Sequence, residues 1–316
     1  MSPLVVSLNP AVDVEWRVPR ILPEEKNELI SERRWPGGKG VNVARWLRWL
    51  ECPAHLFLPL GGSTGEELAD GLRREGIEFS SFPLKQPSRV NVVVTPDPGT
   101  GPQFRFNPTW PRVSAAETRG LLRGVAKRTA RANPVIISGT LAFGASVDTY
   151  ARMARAAKRL GKRVVLDCDR QPFALAVKEG PWLVKPNEFE LGQWSGATLR
   201  TRSAQWKAAR SLAEATGGWV LLSRGGEGAW LLNAVEKVAW SAVPKTVTVR
   251  NRVGAGDAML AGAVAASAKS DQPEEWLRSA VATGTAATQV APGAVPSRSL
   301  WRRIRASVEM SAIPYR

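Results

Sequence analysis

Residues 252–262 read Arg252-Val253-Gly254-Ala255-Gly256-Asp257-Ala258-Met259-Leu260-Ala261-Gly262, a tight turn of small residues that opens directly into a helical pattern. The free N–H groups at the start of a helix favour a bound anion, and small residues let the backbone come close to it. Asp257 would lie on the first helical turn, where its carboxylate can accept the proton of an attacking hydroxyl. On this segment alone, an ordinary loop followed by a helix with an N-terminal acid is an equally good interpretation.

Short apolar runs alternate with helical patterns along the rest of the chain, which predicts an α/β fold with a mostly parallel sheet covered by helices on both faces. We expect the C-terminal third to be helical and residues 1–316 to form one domain, because no linker interrupts them. The candidate strands are 4–8, 55–60, 134–138, 163–167, 182–185, 219–223 and 229–232. The candidate helices are 42–50, 66–74, 115–131, 146–160, 203–216, 255–268, 274–289 and 297–307.

Two segments, 12–35 and 89–107, break this alternation because they hold short strand-like stretches between Pro and Gly turns. We expect them to form a small sheet outside the main one. Such a sheet can act as a lid over the strand ends, where doubly wound folds bind their ligands. An exposed edge strand of the lid would be a ready contact for a homodimer.

The composition excludes several classes of site. Two cysteines, Cys52 and Cys168, and one histidine, His55, are too few for a disulfide scaffold or a structural zinc site. A catalytic triad would depend on His55 alone, in a segment that is typical of a strand edge. No apolar run reaches the roughly 20 residues that span a bilayer, and the N-terminus lacks the pattern of a signal peptide. We therefore expect a cytoplasmic protein without a membrane partner.

The net charge of +16 invites a nucleic-acid interpretation, but the distribution of the charge favours another one. Arg119, Arg123, Lys127 and Arg131 recur at every fourth residue, which places them in one stripe along a helix. We interpret this stripe as the solvated face of a surface helix, and nucleic-acid binding as the less favoured alternative. The excess of positive charge would also attract anionic substrates.

A second glycine-rich helix start reads Pro36-Gly37-Gly38-Lys39-Gly40-Val41-Asn42-Val43-Ala44-Arg45. It is not a Walker loop, because no Ser or Thr follows the lysine. Its glycines let the backbone close against a polyhydroxylated ligand, with Asn42 near the helix start. Taken alone the motif is weak, since glycines at a helix start are often purely structural.

Polar residues follow two candidate strands. Asp13 can accept hydrogen bonds from sugar hydroxyls, or it can simply form a turn. Asn187 and Glu190, three residues apart, share one helix face and can organise Mg²⁺ through water. A helix cap of the capping-box type explains the same pair equally well.

In their order and content these segments resemble the ribokinase-like (PfkB-type) carbohydrate kinases, in particular the branch of 1-phosphofructokinase, tagatose-6-phosphate kinase and the minor 6-phosphofructokinase. The likeness runs from residue 7 to residue 288, and its two signature regions are 37–44 and 253–257. It implies a three-layer sandwich with a small β-sheet lid, and ATP-dependent phosphotransfer to a sugar hydroxyl. It also implies ATP and Mg²⁺ as cofactors, and K⁺ as a monovalent cation for which the chain has no decisive local signature.

The resemblance assigns roles to single positions. Asp257 matches the catalytic base, and Gly254, Ala255 and Gly256 match the anion hole for the γ-phosphate. Positions on the sugar side are Asp13, Gly38, Lys39, Asn42 and Thr140; positions on the nucleotide and Mg²⁺ side are Lys185, Asn187, Glu190, Ser223, Gly225 and Gly228. Arg224 replaces the usual leucine, and either a phosphate contact or a solvent-exposed side chain is compatible with the sequence.

Three basic residues decide between a phosphorylated and an unphosphorylated substrate. Arg89, Lys26 and Arg105 match positions that bind the existing phosphate of the sugar in the phosphofructokinase branch, and we expect them to converge on a dianion. The favoured substrates are fructose 1-phosphate, fructose 6-phosphate and tagatose 6-phosphate. The alternatives are a kinase of an unphosphorylated sugar or nucleoside and, less favoured, a nucleic-acid-binding protein on a kinase-like scaffold.

Overall fold

A ten-stranded sheet forms the centre of the protein, whose computed structural model describes residues 1–315. Neighbouring strands from β5 to β11 run parallel, and the last three pairs run antiparallel. In spatial order the strands are β5 (Phe79–Pro83), β4 (His55–Leu60), β1 (Leu4–Val6), β8 (Val135–Ser138), β9 (Val164–Asp167), β10 (Leu183–Val184), β11 (Trp219–Ser223), β12 (Ala229–Asn233), β13 (Val238–Val243) and β14 (Glu309–Ala312).

Helices cover both faces of this sheet, which confirms the expected three-layer α/β fold. Strands of a doubly covered sheet send successive side chains to opposite cores: Val5 packs on one side, Leu4 and Val6 on the other. The helices are α1 (Lys39–Trp49), α2 (Gly62–Arg74), α3 (Ala115–Thr129), α4 (Thr149–Arg159), α5 (Arg170–Val177), α6 (Glu188–Ser195), α7 (Arg202–Thr216), α8 (Ala255–Ser267), α9 (Pro273–Ala287) and α10 (Arg298–Ala306). The core on the Val5 side contains α1, α8, α9 and α10, and the other core contains α3 to α7.

A second, four-stranded sheet lies apart from the main one. In spatial order its strands are β3 (Ser31–Gly37), β2 (Ala11–Val18), β6 (Arg89–Pro96) and β7 (Phe104–Phe106). Val12 and Val14 on the inner face of β2 pack against Leu68 of α2, which connects this small sheet to the body of the protein. Its strands fall in the two segments that broke the sequence pattern.

The strand order reverses between β1 and β8. From β1 the chain proceeds to β4 and β5 on one side of the sheet, and from β8 to β11 on the other. In open α/β sheets, ligands bind in the crevice outside the carboxyl ends of the strands at such a reversal. The turn after β1 and the loop after β8 therefore mark the position of a candidate site.

The three helices expected near the C-terminus are present as α8, α9 and α10, but the sequence analysis missed β13 and β14, which extend the main sheet. β13 pairs with β12 through a tight turn, and β14, the last element, returns to pair with β13. The strand β5 and the helix α5 were also missed. No helix within residues 1–315 combines the length and the hydropathy that a membrane crossing requires.

Candidate active site

Asp257 lies at the start of α8, directly after the glycine turn. Gly254, the N-cap residue, has a φ of +77°, a left-handed conformation that glycine adopts without strain. No side chain caps this helix, and the amides of Ala255, Gly256 and Asp257 precede any carbonyl that could accept from them within the helix. The carboxylate of Asp257 is buried. An acid and a set of helix-start N–H groups thus share one place, as the sequence predicted.

Asn42 contacts Asp257 directly. Its Nδ2 donates a hydrogen bond to Oδ2 of Asp257 at 2.8 Å. Burial and the neighbouring carboxylate of Asp167 raise the pKa of Asp257 to about 6, while Lys39, Asn42 and Lys185 oppose the rise. A carboxylate with a pKa near neutral is suited to accept a proton at physiological pH.

Two lysines and two more carboxylates form a charged cluster beside Asp257. Nζ of Lys39 lies 3.4 Å from Oδ1 of Asp167 and 3.0 Å from Oε1 of Glu190, and Nζ of Lys185 lies 3.3 Å from Oδ1 of Asp167. Burial raises the pKa of Asp167, but Lys185 and Lys39 outweigh it and hold that pKa below its usual value. Asp167 is therefore ionised, and Nζ of Lys185 lies next to Gly256.

Asn187 and Glu190 form a capping box at the start of α6. Oδ1 of Asn187 accepts from the amide of Glu190 at 2.8 Å, and Oε2 of Glu190 accepts from the amide of Asn187 at 2.9 Å. Within residues 1–315 no group of three or more His, Cys, Asp or Glu side chains is arranged to hold a metal ion. The pair offers only hard oxygens at the edge of the cluster, which suits a Mg²⁺ ion that is bound mainly by phosphates and water.

Asp13 lies on β2 opposite Trp35 of β3, and a glycine makes room for it. A Cβ on Gly37 would lie 2.1 Å from Cγ of Asp13. Nδ2 of Asn91 donates to Oδ1 of Asp13 at 2.8 Å. Burial raises the pKa of Asp13, against this hydrogen bond and the charges of Arg89 and Arg45.

A partly open cleft connects Asp13 of the small sheet with the glycine turn that precedes Asp257. Asp13, Asn42 and Gly254 line it together. Trp35 and Gly293 form another part of its wall, and a Cβ on Gly293 would collide with the indole ring.

Arg89 lies at the base of the small sheet, beside the turn that follows β1. Its Nη2 donates to the carbonyl oxygen of Asn9 at 3.1 Å, and its buried Nε has no partner among the described residues. Nδ2 of Asn9 in turn donates to Oγ1 of Thr140 at 3.0 Å, which connects the loops after β1 and β8. Burial lowers the pKa of Arg89, and the charge of Asp13 opposes this.

Lys26 and Arg105 lie farther along the small sheet. Arg105 pairs with Val93 across β6 and β7, four residues from Arg89, and its guanidinium contacts Gln103. Lys26 lies in the exposed connection between β2 and β3, at the opposite end of these strands from Asp13. The three cations do not meet within this conformation of one chain, so their convergence stays a prediction.

The candidate nucleotide residues follow β11. The amide of Ser223 donates to the carbonyl of Pro186 at 3.0 Å, which joins this loop to the start of α6. Gly225 has open space where a side chain would be, and Gly228 closes the turn. Arg224 is buried: its Nε donates to Oε1 of Gln205 at 3.1 Å, and its guanidinium lies 4.1 Å from the ring centroid of Trp230. The solvent-exposed alternative for Arg224 is wrong, because its side chain packs into the protein, and the phosphate contact stays a prediction.

Sequence reasoning missed four residues at the site. Asp167 follows an apolar strand, the same signal that identified Asp13, and could have been found by it. Trp35, Arg45 and Asn91 gave no signal. Only the pairing of β2 with β3 and the packing of α1 bring Trp35 and Arg45 to the cavity, and only the pairing of β2 with β6 brings Asn91 to Asp13.

A family model described as pfkB family carbohydrate kinase matches residues 3–298. This chain belongs to the PfkB family of carbohydrate kinases. The expected class of enzyme, an ATP-dependent sugar kinase, is confirmed by this membership.

Named relatives of this PfkB-family chain are phosphofructokinases. It is 32% identical to a 1-phosphofructokinase of Bacillus subtilis over 281 residues, 89% of this chain and 90% of that protein. It is 33% identical to an ATP-dependent 6-phosphofructokinase isozyme 2 of Mycobacterium tuberculosis over 260 residues, 82% of this chain and 75% of that protein.

A solved structure extends the comparison to the fold. Phosphofructokinase-2 from Escherichia coli in complex with fructose 6-phosphate superposes with a TM-score of 0.87 at 28% identity, covering 96% of this chain and 98% of that one. The same E. coli protein has also been solved with potassium and as a tetrameric inhibited form.

Proposed function

We propose that this kinase transfers the γ-phosphoryl group of ATP to a free hydroxyl of a ketohexose that already carries one phosphate: fructose 1-phosphate, fructose 6-phosphate or tagatose 6-phosphate. The observation that carries the proposal is the single cavity lined by Asp13, Asn42 and Gly254. It has a candidate sugar-binding carboxylate on one side and, on the other, the anion-binding turn before Asp257 together with Asn42, which donates to that buried base. The cytoplasm, where ATP and sugar phosphates are available, is the compartment we propose for the reaction.

Proton transfer begins at Asp257. In its ionised form this carboxylate takes the proton of the acceptor hydroxyl, whose oxygen then bonds to the terminal phosphorus of ATP as the bond to the ADP oxygen breaks. The amides at Gly254, Ala255 and Gly256 stabilise the charge on the transferred group, and the ammonium of Lys185 lies beside them. Mg²⁺, held through water by Glu190 and Asn187, would neutralise phosphate charge when it is bound with ATP.

The sugar is positioned from the other side of the cavity. Asp13 accepts hydrogen bonds from its hydroxyls, with Gly38, Lys39, Asn42 and Thr140 around them. Arg89 supports a phosphorylated substrate, because a buried guanidinium N–H without a partner favours an anion. Closure of the small sheet over the cavity would exclude water, which otherwise competes as an acceptor.

The test is an ADP-release assay of the purified kinase with fructose 1-phosphate, fructose 6-phosphate, tagatose 6-phosphate and the unphosphorylated sugars. We expect turnover with at least one sugar phosphate, and a rise of at least about tenfold in its KM in Arg89→Ala with little change in kcat. An equal KM rise for an unphosphorylated sugar would contradict the phosphate role of Arg89. Preferred turnover of an unphosphorylated sugar or nucleoside would establish the alternative kinase instead.

The small sheet also supports a homodimer. β7 is an edge strand with exposed Phe104 and Phe106, and Leu29 and Ile30 are exposed near the start of β3. An apolar edge of this kind is a natural pairing surface. In a dimer, a second copy is one means of bringing Lys26 and Arg105 to a sugar phosphate. Light scattering of the wild type and of Phe106→Asp tests this, and a wild-type monomer at micromolar concentration would reject it.

A monovalent cation such as K⁺ is the remaining part of the proposal. The cavity next to Gly254 is bordered by Asn251, Val253, Ala291, Gly293 and Ala294. Backbone carbonyl oxygens of such loops are the ligands that replace the hydration shell of K⁺. Higher turnover in KCl than in tetramethylammonium chloride at equal ionic strength would support the cation, and equal turnover would reject it.

A further inference from the structure

Arg45 is a buried cation that the proposed reaction does not use. It lies on α1, one turn after Asn42, and is only 7% exposed. Its Nε and Nη2 donate to the two carboxylate oxygens of Glu75 at 2.6 and 3.0 Å, and Nη2 also donates to the carbonyl of Pro36 at 2.5 Å. Burying a charge is costly unless it is paired and hydrogen-bonded, and here the end of α2 supplies the pairing.

The remaining arm of Arg45 contacts Asn42. Nη1 donates to Oδ1 of Asn42 at 2.7 Å. A guanidinium has only donors, whereas a side-chain amide has one oxygen and one nitrogen of nearly equal shape. Arg45 therefore accepts only one of the two orientations of this amide, the one in which Nδ2 points to Oδ2 of Asp257.

We propose that Arg45 is a positioning residue, which holds the amide of Asn42 in the orientation that donates to the catalytic carboxylate of Asp257. The proposal rests on the proposed function of Asp257 and adds how its hydrogen-bond donor is selected. A hydrogen-bonded path then leads from Glu75 at the end of α2, through Arg45 and Asn42, to the reacting group. Without Arg45, the amide is free to turn its oxygen toward Asp257, which favours the protonated acid.

The charged groups around Asp257 and Arg45 determine what a substitution of Arg45 changes. Asp257 is surrounded by Asp167 from β9, Lys185 after β10, and Lys39 with Asn42 from α1. Arg45 is paired with Glu75 and acts on Asp13 through its charge. Loss of Arg45 should therefore reach Asp257 through Asn42, and Asp13 through space, where it would alter the KM for the sugar.

The experiment measures kcat against pH at saturating substrates for the wild type, Arg45→Met, Asn42→Ala and the double variant. In Arg45→Met we expect the acid limb to move upward by about one pH unit, so that kcat at pH 6 falls about fivefold and recovers at higher pH. The double variant should be no slower than Asn42→Ala alone, because Arg45 acts through that amide. Arg45→Lys keeps a charged hydrogen-bond donor, so its kcat at pH 6 should fall less than that of Arg45→Met.

Arg48→Met is the matched control. Arg48 lies one turn farther along α1 and joins the same end of α2 through a 2.7 Å hydrogen bond from its Nε to the carbonyl of Gly76, but it does not contact Asn42. This variant should keep the wild-type pH profile. An unmoved profile in Arg45→Met, or an equal loss of kcat with and without Asn42, would overturn the proposal.

The role of Arg45 can be tested even if Arg45→Met folds poorly. If Arg45→Met melts far below the wild type, Glu75→Gln replaces it, because a neutral acceptor keeps the shape of the site and loosens Arg45. A smaller upward shift of the acid limb is then expected, and an unmoved profile would again reject the proposal. Near-normal turnover of Asp257→Asn would instead reject the base itself, whatever the Arg45 variants show.

Discussion

Asp257 carries a pKa of about 6 because it is buried beside another carboxylate, and this predicts the pH dependence of the reaction. The base must be ionised, so kcat should be constant above about pH 7 and fall about tenfold per unit below pH 6. Measurements of kcat at saturating substrate keep the ionisation of the sugar phosphate itself out of the profile. Asp257→Asn should lose most of the turnover, and a flat wild-type profile down to pH 5 would contradict the assignment.

The raised pKa of Asp257 also predicts that the charged form of this catalytic residue destabilises the folded protein. Burial raises the pKa of Asp257, so folding disfavours its charged form. This cost is present above about pH 6 and disappears as the pH falls toward the ordinary value of 3.8. At pH 8 the cost is on the order of 2–3 kcal/mol. Asp257→Asn should therefore melt a few degrees higher than the wild type at pH 8, and the gain should shrink to about a third of this at pH 4.5. An equal gain at both pH values would contradict this explanation.

At the scale of elements, the junction between β3 and α1 holds the sugar side of the cavity in place. A Cβ on Gly37 would overlap the carboxylate of Asp13, which cannot move freely because Asn91 holds it. Gly37→Ala should therefore raise the KM for the sugar by about tenfold or more and leave the KM for ATP nearly unchanged. The ATP value serves as the internal control, and equal changes in both constants would point to a general folding defect.

Local patterns predicted the elements whose residues alternate or repeat strongly. The main-sheet strands β1, β4 and β8 to β12 read as apolar runs. The helix α3 begins with a capping box formed by Ser114 and Glu117. β14 could not be predicted, because its residues are mostly exposed and only backbone pairing with β13 makes it a strand. Trp35 and Arg45 reach the cavity through the register of β3 and the packing of α1, which no spacing in the sequence encodes.

For the whole molecule, the net charge of +16 has a consequence for substrate binding. The stripe on α3 is exposed, while the site itself balances Lys39 and Lys185 against carboxylates. Long-range attraction of ATP and a sugar phosphate should thus come largely from the surface. We expect kcat/KM for both to fall roughly two- to fivefold between 50 and 300 mM salt, with kcat nearly constant.

The variant Arg119→Glu/Arg123→Glu separates the surface charge from the site. Both side chains are exposed on α3, away from the cavity, so the variant should keep kcat and show a flatter salt dependence of kcat/KM. An unchanged salt dependence of kcat/KM would show that the charges of the site itself attract the substrates. A gel shift with duplex DNA and structured RNA at the same salt concentrations tests the nucleic-acid alternative, because phosphate-backbone binding is lost steeply with salt. Tight binding that Arg119→Glu/Arg123→Glu abolishes, without any effect on turnover, would show that the stripe serves a polyanion rather than the kinase reaction.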